Sequence, residues 1–198
     1  MKPAALGFRV HSGWCSAVAI TLEEGSPRVL LRSRPHLVRK FTFEFRQPYH
    51  SAEKISPAEG RSFISFVRGE ARSLAYQAIR SAQAGLRELD CELARCALLL
   101  ASGRPLPALP QILASHALIH TADGELFREA LLHASKRCGV ATFTTKEAVL
   151  LETGSQALDL RPEEVLRRLT SLGAEVGPPW AQDEKYAALI AWLSLING

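Results

Sequence analysis

GFRVHSGWCSAVAI, residues 7–20, decides the fold. Arg9 and His11 alternate with apolar neighbours up to Ser12-Gly13, a dipeptide suited to a tight turn. Ala17 to Ile20 then run without a polar break, as in a strand covered on both faces. The stretch therefore reads as a hairpin, with His11 at the end of its first strand. Glu24-Gly25-Ser26-Pro27 is a second turn, Val29–Arg32 a third short strand, and Pro35 a break. Phe41-Thr42-Phe43-Glu44-Phe45 alternates with period two and reads as a further strand, so that residues 5–46 are β-structure.

After a polar connection from Pro48 to Pro57, a long helix is expected. Ser56, Pro57 and Glu59 have the spacing of an N-cap, a first-turn proline and a capping-box acid. Ile64, Val67, Ala71, Leu74, Ala78, Ala82, Leu86 and Leu89 recur at three- and four-residue steps. Arg61, Arg68, Arg72, Arg80 and Arg87 share an adjoining arc of roughly 120°. That stripe is either a phosphate-binding surface or a solvated helix face.

Cys96–Ala101 is a continuous apolar run, expected as a buried strand parallel to the first and ended by Ser102-Gly103-Arg104-Pro105. A helix follows over Gln111–Thr121. Another starts at Asp123-Gly124-Glu125 and closes at Gly139. Val140–Thr144 is the next strand. Lys146–Thr153 and Pro162–Leu172 read as helices, and Gly177-Pro178-Pro179-Trp180 as a rigid elbow. The last helix opens with Gln182-Asp183-Glu184-Lys185, acids that suit the positive end of a helix dipole, and continues as YAALIAWLSL. A meander of strands followed by alternating strands and helices implies a mixed sheet with helices on both faces.

Composition agrees with one α/β domain over residues 1–198: 47% hydrophobic and 22% charged. A net charge of +4 and a pI near 9.0 permit an anionic partner without requiring one. No apolar run approaches the roughly 20 residues of a membrane span, and the N-terminus lacks the apolar core of a signal peptide. Cys15, Cys91, Cys96 and Cys138 have no CxxC spacing and read as buried thiols of a reducing cytoplasm.

This order of elements resembles the ribonuclease H-like fold, most closely its Holliday-junction-resolvase branch. Residues 7–20 match the first strand, the glycine turn and the apolar second strand, with His11 where the family carries an aspartate. DEKYAALIAWLSL, residues 183–195, matches the closing helix, with Asp183 or Glu184 in the acid position, and GELFREALLHASKRCGVATF, residues 124–143, the segment before it. The resemblance implies a nucleic-acid partner, DNA or RNA. It also implies a site at one sheet edge that gathers His11, Ser12, Ser102 and Asp183 or Glu184. Family members activate water with two metal ions held by carboxylates, and Mg²⁺ or Mn²⁺ prefers oxygen ligands. The fourth strand ends in Ala101-Ser102 rather than an acid; Glu53 and Glu59 are the nearest substitutes. Three readings stay open: a nucleic-acid-binding relative with a non-conventional or degenerate nuclease site, an active metal-dependent phosphodiesterase using His11, Asp183 and Glu184, and an interaction protein that forms a homodimer through Tyr186–Ile196.

Other candidates are independent of the resemblance. His116 and His120 are four apart, with Glu125 beyond, a pattern compatible with Zn²⁺ or Mn²⁺. His133 reads as a surface group. Trp14 and Trp180 flank the two stretches that should meet and are candidates for stacking on a base. Lys185 is expected to pair with its neighbouring acids.

Overall fold

The computed structural model describes residues 1–101 and 105–197. Its strands are β1 (Lys2–His11), β2 (Trp14–Glu23), β3 (Ser26–Ser33), β4 (Cys91–Leu100) and β5 (Ala141–Lys146). They form a single sheet in the order β3-β2-β1-β4-β5. β1–β2 and β2–β3 are antiparallel, whereas β1–β4 and β4–β5 are parallel. The expected hairpin is present, and the turn works because Gly13 takes φ +82°, a left-handed conformation open to glycine.

Alternation along β1 divides the core. Ala4, Leu6, Phe8 and Val10 face one layer, built with α3 (Pro57–Glu88) and α5 (His116–Arg137). Ala5 faces the other, built with α6 (Leu150–Leu158), α7 (Pro162–Val176) and α8 (Gln182–Ile196). Gly7 belongs to the second face. A Cβ there would stand 1.9 Å from the carbonyl oxygen of Ala187, so the missing side chain lets α8 lie directly on β1. The helix start at Ser56 is as expected: Ser56 Oγ accepts from the Glu59 N–H at 3.4 Å, and Glu59 accepts from the Ser56 N–H at 3.3 Å. The buried face of α3 runs through Ile64, Val67, Ala71, Ala75, Ile79 and Leu86, leaving Leu89 exposed.

Four expectations are corrected. Phe41–Phe45 is no strand: Phe43–Arg46 forms a short helix, α1, and Pro48–Ala52 follows as α2. Phe41 and Phe43 are exposed, so the alternation of aromatics there does not reflect a buried face. Pro48–Pro57 is not simply a polar connection, because Pro48, Tyr49, His50 and Ala52 are buried. The region 111–137 divides into α4 (Leu109–Leu113) and one continuous α5, so no helix starts at Asp123. Asp123 is buried mid-helix, and Gly124 leaves room for Arg128. Finally, Ala187–Ser194 of α8 are buried against the chain's own sheet, and that apolar run is unavailable as a dimer surface. Among the described residues no helix is long and apolar enough to cross a membrane, and the four cysteines are free, three of them buried.

Candidate functional site

The C-terminal ends of the parallel strands β1, β4 and β5 share one edge of the sheet, the edge where open α/β sheets place ligands. Because side chains alternate along β1, Arg9 and His11 both point to the α8 side, as Gly7 does. There they meet the first turn of α8. His11 Nε2 lies 2.9 Å from Asp183 Oδ1. Arg9 donates to the same oxygen through Nη1. It also reaches across the end of β4 to Glu147, which follows β5 directly, with Nη2–Oε1 at 2.6 Å and Nε–Oε2 at 3.2 Å. Arg9 is 16% exposed, Asp183 25% and Glu147 35%. The fork of one guanidinium therefore holds two carboxylates.

Electrostatics follow from that arrangement. Burial alone would push the Asp183 carboxyl up; the hydrogen bonds and charges of His11 and Arg9 outweigh it and hold it below the ordinary carboxylate value. The Glu147 bond is the largest influence on Arg9 and raises it further, so the guanidinium is a permanent charge. Glu184 turns elsewhere: it is buried, accepts from the Ala181 N–H at 2.9 Å and stands 3.4 Å from Ser16 Oγ. His11 stacks on Trp14 across the turn, centroids 4.2 Å apart, and Arg34 lies 3.5 Å over the Trp14 ring. Ser12 contributes its carbonyl to Arg46 at 3.1 Å. Ser102 lies outside the described residues. Trp180 packs on α7: its N–H donates to Leu169 O at 2.7 Å and its ring covers Gly173. Lys185 bonds the Thr170 hydroxyl at 3.0 Å rather than its neighbouring acids.

Mg²⁺ or Mn²⁺ held by carboxylates does not fit these residues. A two-ion site needs anionic oxygens turned toward the metals, yet Asp183 and Glu147 both point at Arg9, a cation already in their midst. Arg9 and Glu147 are the members that sequence reading missed. Arg9 was legible, two residues before His11 on the same face. Glu147, 138 residues further along, becomes its partner only through the β1-β4-β5 order.

His116 and His120 stand on the first turns of α5, exposed, their Nε2 atoms 3.0 Å apart. Glu125 does not join them. At 100° per residue it lies about 180° around the helix from His116, and it accepts from Arg128 at 3.1 Å. The third imidazole comes from His50 of α2, which sequence reading placed in a loop. His133 is exposed, as expected.

The arginine stripe of α3 is partly engaged. Arg72 binds Glu129 at 2.5 Å, Arg68 donates to the Tyr49 hydroxyl at 3.2 Å, and Arg80 to Gln83 at 3.2 Å. Arg61 is exposed and lines, with Arg68, a hollow of about 430 Å³ beside Tyr49. A second basic surface covers the hairpin turn. Arg34, His36, Arg39, Lys40, Phe41 and Phe43 are all exposed there, with His36 stacked on Phe41 at 4.3 Å and Arg46 4.5 Å over the same ring.

The backbone arrangement has solved counterparts. Thermus thermophilus RuvC in complex with a Holliday junction substrate aligns with a TM-score of 0.56 and 13% identity, covering 98% of this chain and 93% of that one. A further Thermus thermophilus RuvC structure aligns at 0.54 with 11% identity over 98% and 93%. The yeast mitochondrial Holliday junction resolvase Ydc2 aligns at 0.52 with 10% identity over 98% and 81%. The chain has the ribonuclease H-like fold, and its structural neighbours are Holliday junction resolvases. No family model and no curated sequence matches it.

Proposed function

We propose that this protein binds nucleic acid through the ribonuclease H-like scaffold without two-metal hydrolysis at the sheet edge. The observation that carries this reading is Arg9, clamped between Glu147 and Asp183 where the resembling nucleases hold metal-binding acids. Cutting a phosphodiester by the two-metal route needs ions that both activate water and stabilise the leaving oxygen. A guanidinium neutralised by two carboxylates supplies neither. His11, bonded to Asp183 and stacked on Trp14, is part of the same closed set.

Binding is supported by three features. The aligned neighbours include a resolvase in complex with a Holliday junction substrate. Arg34 and Lys40 stand exposed beside Phe41 and Phe43, with Arg39, also exposed, next to them in an ion pair with Glu70 at 3.4 Å, a combination of phosphate-pairing cations and stacking rings suited to unpaired bases near a branch point. Arg61, Arg68 and Arg80 add charge along α3, the last two bonded only to neutral groups, with Arg72 a weaker contributor because Glu129 already neutralises it.

Fluorescence anisotropy with a labelled four-way junction at low salt tests the reading. Binding should weaken linearly in log salt. The triple change Arg34→Glu, Arg39→Glu, Lys40→Glu should lower affinity at least tenfold. The same DNA incubated with Mg²⁺ or Mn²⁺ should remain uncut. No binding at low salt, or cleavage that disappears in Asp183→Ala, contradicts it.

A further inference from the structure

A second histidine–aspartate pair lies away from the sheet edge, between α2 and α5. His50 is buried, and its Nδ1 is 2.5 Å from Asp123 Oδ2. The backbone N–H of Tyr49 donates to Asp123 Oδ1 at 2.8 Å. Asp123 thus accepts on both oxygens. With Nδ1–H donated to the Asp123 carboxylate, the lone pair of His50 Nε2 is left for another partner. A carboxylate behind an imidazole is the arrangement that fixes the tautomer and orientation of a metal-binding histidine.

The His50 ring packs edge-on against the other two imidazoles, with ring centroids 5.4 Å from His116 and 4.4 Å from His120. One ligand atom from each of the three lies within 4.8 Å of the others. The helix explains why. His116, His120 and Asp123 are spaced i, i+4 and i+7, so all three fall on the face of α5 that meets α2. Zinc–nitrogen bonds of about 2.0–2.1 Å require tetrahedral ligands roughly 3.3 Å apart. The Nε2 atoms of His116 and His120, 3.0 Å apart, already stand near that spacing, and the ligand atom of His50 lies within 4.8 Å of theirs. An all-imidazole set favours zinc-like ions over Mg²⁺ or Mn²⁺.

We propose that His50, His116 and His120 bind one Zn²⁺, with Asp123 positioning His50, so that the ion ties α2 to the first turns of α5. Three protein ligands leave the fourth position open toward solvent, on the side of the two exposed histidines.

Calorimetric titration of the full chain with Zn²⁺, with Mg²⁺ in parallel, tests this. One equivalent of Zn²⁺ should bind and Mg²⁺ should not compete. Co²⁺ in its place should give the visible band of a four-coordinate ion. His120→Ala, an exposed position, should abolish stoichiometric binding, and His50→Ala should do the same with the fold retained by circular dichroism. Asp123→Asn should weaken binding 10- to 100-fold, while His133→Ala should leave it unchanged. Absence of saturable Zn²⁺ binding overturns the proposal. So does full-strength binding in His50→Ala, which would reduce the site to a pair of surface histidines.

Discussion

The molecule pairs a histidine with an aspartate twice, and the two pairs do opposite things. At the sheet edge, His11 and Asp183 share their space with Arg9, which also takes Glu147. Between α2 and α5, His50 is backed by Asp123 and meets two further imidazoles, and among the described residues no arginine bonds either member of the pair. The first set contains its own cation. The second gathers three imidazoles whose nitrogens a single added cation can join. Residue types alone do not distinguish the pairs; what stands next to them does.

The sharpest way to break the first set is through the contact that carries it. Gly7→Ala forces a Cβ into the Ala187 carbonyl at 1.9 Å and must lift the helix that bears Asp183 off β1. A loss of about 3 kcal/mol is expected in urea unfolding, the upper end for overpacking. Arg9→Met comes next. It strands two half-buried carboxylates, and a cost of about 2 kcal/mol is expected, below that of a fully buried pair because Glu147 is 35% exposed. If Arg9→Met is neutral, the guanidinium is not what closes the site.

The acid side of the stability curve sharpens the comparison further. Asp183 titrates below its ordinary value in the folded state, so its pairing stabilises the fold above about pH 4, the unfolded carboxyl value. That contribution disappears as pH falls through the lowered folded value. Asp183→Asn should therefore be less stable than the parent at neutral pH, with the gap closing in acid. A gap that widens in acid would contradict the pairing. The smallest effect belongs to the second set. His116→Ala without metal should change stability by no more than about 0.5 kcal/mol, since the ring is exposed. Parallel urea titrations of Arg9→Met and His116→Ala give the contrast directly.

What the sequence made legible follows the same physics. The hairpin at 7–20 was readable because alternation, a glycine turn and an apolar return strand agree with one another. α3 was readable because Ser56, Pro57 and Glu59 specify a helix start in three ways at once. Phe41-Thr-Phe-Glu-Phe misled because period-two aromatics usually mark a half-buried strand, whereas here Phe41 and Phe43 face solvent and Pro48 opens the next helix. Asp123-Gly124 looked like a helix start because both residue types favour helix ends. Tertiary context prevailed: Asp123 is buried as the acceptor for Tyr49 and His50. The resemblance brought His11 to Asp183 or Glu184 without choosing between them; the fold pairs His11 with Asp183 and turns Glu184 to Ala181 and Ser16. Glu147 and His50 could not be placed in advance, because they reach their sites through strand order and helix packing.

The central claim is that Arg9 stands in place of metal at the sheet edge. Titration of the protein with Mn²⁺, followed by electron paramagnetic resonance, tests it most directly. The account predicts no saturable Mn²⁺ site that depends on Asp183. Stoichiometric Mn²⁺ binding to the parent protein, lost in Asp183→Ala, would contradict it.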